Sequence, residues 1–273
     1  MLTTTDQIYD IIIIGASEEG ISFCEQIIEK TENLNIGLVS RNFNRDVNLP
    51  QINLINKEVI FSSYHKGLIG LTLADRTMLF GKNIIIATGT KPIKAALKNC
   101  NIHYNLNKIK PAKTEPAVVF GNDNLAANYA LQLAKKFKYV YLCTSEFDLK
   151  CEAKYIKKIE NIANILHLPN CNIIGCKNDK EGHLAEINLD TYSSIRCSAL
   201  VMSLGRVPDN PGLSKRMYSV DSKGYIEVKE FGETLIVPNI YAIGTCTKNN
   251  TRCRLAPIIN KIIEKNKFKL KEE

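Results

Sequence analysis

No two of the nine cysteines stand three residues apart, so the chain lacks the Cys-x-x-Cys pair in which close spacing makes a disulfide reversible and lowers one thiol's pKa. The longest apolar run, around Ile11–Ile14, falls short of the roughly 20 residues a membrane helix needs. Met1 to Gln7 is polar and has no charged-then-apolar signal layout. These absences predict a cytoplasmic chain with no membrane span and with reduced thiols. His65, His103, His167 and His183 are scattered without metal-ligand spacing, so no metal site is expected. There is no Gly-x-Ser-x-Gly elbow, and Ser17 has no neighbouring His or Asp to activate it.

What is present is ordinary globular material: 273 residues, 45% hydrophobic and 23% charged, enough for two medium domains with cores of their own. The net charge is +8, with a dense patch at Lys261, Lys265, Lys267, Lys269 and Lys271. Its plain reading is the solvated face of a terminal helix; its alternative is a surface for RNA or another polyanion, without aromatic residues between the lysines to stack bases.

Ile8 to Ile14 is a β-branched run ending in Gly15, Ile21 to Ile28 repeats apolar residues at helical spacing, and Ile36 to Val39 supplies a second strand. This βαβ unit predicts a parallel sheet. Glu58 to Phe80 reads as a small antiparallel meander, followed by a strand at Asn83 to Ile86. A second βαβ unit runs through Ala117 to Phe120, a helix over Ala126 to Phe137, and a strand over Tyr139 to Cys143. Lys154 to Ile165 reads as a helix and Cys171 to Leu189 as two strands around the turn 178–182. Strands at Ala199 to Leu204, Gly224 to Val228 and Ile240 to Gly244 precede a helix over Ala256 to Phe268.

Each βαβ unit carries a glycine loop. In a dinucleotide loop the first glycine makes the turn, the second lets backbone approach the pyrophosphate, and the third lets helix pack on strand. The first loop keeps Gly15 and Gly20 but has Ser17 at the second position. The second has Gly121, Asp123 and Ala126 at the three positions. At about 4 Å and an effective dielectric of about 20, a carboxylate opposes an anion by roughly 4 kcal/mol, about a thousandfold in affinity.

The order of motifs resembles the low-molecular-weight thioredoxin reductases and the wider pyridine-nucleotide disulfide oxidoreductases. The resemblance rests on Tyr9–Gly15, Ile85-Ile86-Ala87-Thr88-Gly89, Gly205-Arg206-Val207-Pro208-Asp209-Asn210 and Ile240-Tyr241-Ala242-Ile243-Gly244, and covers nearly the whole chain. It implies an α/β protein of two Rossmann-like, three-layer lobes, the NAD(P) lobe (residues 115–234) inserted in the FAD lobe (residues 1–114 and 235–273). It implies FAD and NAD(P)H as cofactors, with Gly15, Ser17, Gly20, Thr88, Gly89, Gly244 and Thr245 at the flavin nucleotide and Gly121, Ala126 and Glu146 at the pyridine nucleotide. It also implies a homodimer.

The chain departs from the family pattern in several places. Residues 41–57 lack the family's Gly-rich segment, Thr245 replaces an aspartate, and Thr144-Ser145-Glu146 stands where arginines grip the 2′-phosphate, so NADH is less disfavoured than NADPH. Cys171 and Cys176 have the spacing of the glutathione-reductase branch, but five apart on a strand they point to opposite faces. Cys246 and Cys253 flank a polar loop where family members approach the flavin and are the remaining catalytic candidates. Cys24, Cys143 and Cys197 read as small hydrophobes. Three readings follow: an oxidoreductase without disulfide reductase turnover that passes electrons to a protein redox partner or small acceptor, a degenerate pseudoenzyme kept as a binding partner in a macromolecular assembly, or a flavin-carrying subunit of such an assembly.

Overall fold

The computed structural model describes residues 8–43, 47–112, 114–210, 212–248 and 255–271. Contacts divide the chain into two compact units, residues 1–91 with 207–273 and residues 92–206. The second unit thus begins earlier and ends earlier than the 115–234 lobe expected from the sequence.

The first unit opens with β1 (Ile8–Ile14), α1 (Glu18–Lys30), β2 (Ile36–Val39) and β3 (Ile52–Ile55), followed by β4 (Val59–His65), β5 (Leu68–Leu73) and β6 (Met78–Ile86). Its sheet runs β3-β2-β1-β6-β5-β4, parallel from β3 to β6 and antiparallel through the meander. Alternation along β1 builds both faces: Ile11 and Ile13 pack with Phe23 and Ile27 of α1, whereas Ile12 and Ile14 pack with Ile69, Leu71 and Ile84.

The chain leaves this unit within β7 (Thr90–Pro92). The second unit comprises β8 (Ile102–His103), β9 (Ala117–Phe120), α2 (Asn124–Leu133), β10 (Val140–Cys143), α3 (Ala153–Glu160), β11 (Ile165–Leu168), β12 (Ile173–Asn178), β13 (Leu184–Leu189), β14 (Ile195–Arg196) and β15 (Ala199–Met202). A parallel sheet in the order β11-β10-β9-β15-β8 carries α2 and α3 on one face and the antiparallel β12-β13-β14 sheet on the other. The chain returns through β16 (Arg206–Pro208). In the first unit, β17 (Ile240–Ala242) then pairs with β6, and α4 (Leu255–Asn266) packs Ile259 and Ile262 beside Phe23.

Three expectations are corrected. The helix over Lys154 to Ile165 stops at Glu160, and Ile165 instead opens β11, because the Asn164 side chain donates to the Ala134 carbonyl at 2.8 Å and fixes the turn between. Gly224 to Val228 forms isolated bridges, not a strand. The thiols are not all reduced: Cys100 and Cys176 are joined in a disulfide.

Candidate functional site

In the first unit the glycine loop sits at the C-terminal end of β1. Gly15 has φ +108°, and a Cβ there would lie 2.5 Å from the Ala87 carbonyl oxygen. Gly20 lets α1 pass over the loop, since a Cβ on it would lie 2.2 Å from the Gly15 oxygen. Ser17 is the N-cap of α1, and its hydroxyl accepts from the Gly20 N–H at 3.1 Å. β17 continues into a single 3₁₀ turn, Gly244–Cys246, which brings Thr245 to Gly89: a Cβ on Gly89 would meet the Thr245 hydroxyl at 3.3 Å. Seven predicted residues, Gly15, Ser17, Gly20, Thr88, Gly89, Gly244 and Thr245, are thereby brought to the C-terminal ends of β1, β6 and β17.

A cavity of about 350 Å³ opens beside this loop. Thr88 and Asn210 line it, and each holds a buried side-chain oxygen with no nitrogen or oxygen partner among the described residues. Arg41, just past β2, and Lys91 also line it. Arg41 pairs with Asp209 and Glu58, and Lys91 reaches Asp209 at 3.2 Å. Arg41 and Asn210 are not among the site residues expected from the sequence, although Asn210 ends one of the motifs that carry the resemblance; the position of Arg41 directly after the second strand was the available signal.

The second unit's loop is built alike and finished differently. Gly121 has φ +151°, a Cβ on it would lie 2.4 Å from the Ser203 carbonyl oxygen, and Ala126 packs against it, as the third loop position requires. Asp123 is the N-cap of α2. Its carboxylate accepts from the Ala126 N–H at 2.8 Å and from the Ser203 hydroxyl at 2.9 Å. On either side, Asn122 accepts from the Lys150 N–H, and Asn124 both accepts from the Glu152 N–H and donates to the Glu152 carboxylate, each at 2.8 Å. The segment after β10 is therefore hydrogen-bonded onto the loop. Glu146, predicted to meet a ribose, is exposed and ion-paired with Lys150 at 2.5 Å. Asn122, Asn124 and Ser203 were not foreseen.

Of the two catalytic candidates, Cys246 alone falls among the described residues. Cys246 is fully buried, donates to the Ile243 carbonyl, and burial pushes its thiol up to about 11, which removes the thiolate that exchange chemistry needs. Cys253 lies outside the described residues. Ligand-type side chains cluster at one place among the described residues, the exposed Asp179, Glu181 and His183, where the Asp179 carboxylate is held by the Glu181 and His183 amides as part of a turn. The basic C-terminal patch is partly neutralised within the chain: Lys261 and Lys265 pair with Glu233, and Lys269 with Glu32. Among the described residues no helix is long and apolar enough to cross a membrane.

The family model described as pyridine nucleotide-disulphide oxidoreductase matches residues 50–262, well over half of the chain. This chain belongs to that family. Members bind FAD and NAD(P)H, and this member has the two-lobed, Rossmann-like fold of the group. It is 26% identical over 216 residues to a thioredoxin reductase of Borreliella burgdorferi, a match that takes in 73% of this chain and 65% of that protein. It is 23% identical over 290 residues to a thioredoxin reductase of Mycoplasma genitalium, with 92% and 91% covered. The crystal structure of Lactococcus lactis thioredoxin reductase in its FR conformation superposes with a TM-score of 0.78 at 15% identity, over 94% of this chain and 98% of that one.

Proposed function

We propose that this family member holds FAD in its first lobe and does not turn over disulfides at the expense of NAD(P)H. The observation that carries this reading is the Asp123 carboxylate on the N-terminus of α2. Helix N-termini bind anions through unpaired N–H groups and the helix dipole. Here that position already holds an anion belonging to the chain, fixed from a second side by Ser203. A pyrophosphate approaching it meets like charge and the bonds that fasten residues 150–152 across Asn122 and Asn124.

The two lobes share the glycine cradle and differ at the helix cap. In the first lobe the cap at position 17 is an uncharged hydroxyl, and the buried Asn210 side-chain oxygen at the cavity wall has no donor among the described residues. These features fit the adenosine diphosphate half of FAD, and Gly15, Ser17, Thr88 and Asn210 would hold it. Bound FAD supplies two-electron redox chemistry. The chain's contribution is placement: Gly15 lets backbone N–H groups approach phosphate, and Gly89 with Thr245 shapes the adjoining wall.

The absorption spectrum of the purified protein tests this directly. A flavin band in the blue is expected, at partial or full occupancy, and it should persist for minutes under excess NADPH or NADH without oxygen. Flavin bleached within seconds by either nucleotide would sink the reading of Asp123, and failure to retain or take up added FAD would sink the reading of the first lobe.

A further inference from the structure

We propose that Cys100 and Cys176 form a site of reversible thiol–disulfide exchange with a dithiol, a covalent clasp between the edge of the second unit's parallel sheet and its β12–β13 hairpin. The two cysteines are 76 residues apart, one just before β8 and the other within β12, and both are partly exposed. The other described cysteines are poor candidates for such chemistry. Cys24, Cys143, Cys171, Cys197 and Cys246 are buried, and burial raises each of their thiols, as it does that of the half-exposed Cys151. Disulfides that solvent thiols can reach are the labile and regulatory ones, and in reducing compartments the bridges that occur are transient or redox-sensing.

Backbone pairing at the clasped edge is sparse. β8 is an edge strand of two residues, paired to β15 only through Ile102 with Leu200 and His103 with Val201. Beside the disulfide, the Asn178 side chain donates to the Asn99 carbonyl at 2.8 Å in an exposed position. The same two segments line part of an open cavity of about 690 Å³, with Asn101 and His103 from one and Asp179, His183 and Leu184 from the other. Its volume is in the range of small-molecule sites, about 300–1,000 Å³. Opening the disulfide therefore frees the wall of a cavity as well as a strand end.

The exchange balances with a dithiol alone. One thiolate of the dithiol attacks a bridge sulfur; the Cys100–Cys176 bond breaks as the new S–S bond forms, and the other cysteine leaves as a thiolate and takes a proton. The second thiol of the dithiol then attacks the mixed disulfide. The dithiol ends as a cyclic disulfide, and the protein has gained two electrons and two protons.

Alkylation of the full, folded chain tests the site, with dithiothreitol as the probe and peptide mass spectrometry as the readout. Cys100 and Cys176 should label only after reductant, together, and should be protected again by oxidised dithiothreitol. Reduction should also accelerate amide exchange at Ile102 and His103 by roughly tenfold, since a two-residue edge strand has little protection of its own. The Cys100→Ser and Cys176→Ser variants should show that fast exchange with or without reductant. Labelling before reductant, reduction only in denaturant, or wild-type exchange unchanged by reduction would each overturn the proposal.

Discussion

Asp123 satisfies donors that nothing else in the second loop reaches, and in doing so it fills a place where an anionic ligand would gain the same donors. Its removal therefore has opposing effects. Loss of an N-cap carboxylate costs roughly 1 kcal/mol when alanine replaces it and only a few tenths when glycine does, while loss of the like charge returns up to about 4 kcal/mol to an approaching phosphate. Asp123→Gly should accordingly leave the melting temperature nearly unchanged and tighten NADH binding by as much as about a thousandfold in a fluorescence titration. No gain would locate the closure in the Asn122 and Asn124 bonds. The sequence showed that a carboxylate stood at the wrong loop position. It did not show the Ser203 hydroxyl 80 residues away that holds it there, because side-chain bonds between distant segments leave no local periodicity.

Among the elements, α4 shows how charge that looks like surface is put to use inside. Glu233 is buried, and burial alone would raise its carboxyl; hydrogen bonds from Lys265, Lys261 and the Asn239 amide outweigh that and hold it at about 2. A carboxyl lowered in the folded state adds stability that is complete above its unfolded value of about 4 and is lost as pH falls towards the folded one. Urea unfolding should show wild type more stable than Glu233→Gln by on the order of 3 kcal/mol near neutrality, with the difference shrinking between about pH 4 and pH 2. A difference independent of pH would assign the role of Glu233 to packing. Legibility at this scale followed length. β1, α1, α2 and α4 have enough turns or alternations to declare themselves, within a few residues at each end. The four-residue β11 did not, since Ile165–Leu168 continues the apolar rhythm of the helix before it, and β3 was hidden in a stretch read for the glycines it lacks.

For the whole molecule, two lobes of similar plan should respond unequally to one ligand. Hydrogen exchange with FAD or ADP present should slow around residues 14–17, 39–41 and 88–89, and leave residues 117–126 at their free rates. Equal protection of both regions would contradict the asymmetry drawn from Ser17 and Asp123. The two-lobed plan was legible because each βαβ unit repeats its own signals. The lobe boundaries were not, because they fall within the three-residue strands β7 and β16 and carry no composition change.

The crowding at Gly15, Gly20 and Gly121 has a consequence for how such chains diverge. Backbone oxygens stand where a Cβ would go at all three, so any larger residue would force the facing segments apart whether or not a nucleotide is ever bound. Glycine at these positions then serves assembly itself, independently of any chemistry at the loop. The helix cap of each loop does hold a side chain, so one substitution there can change what the loop accepts and leave the fold intact.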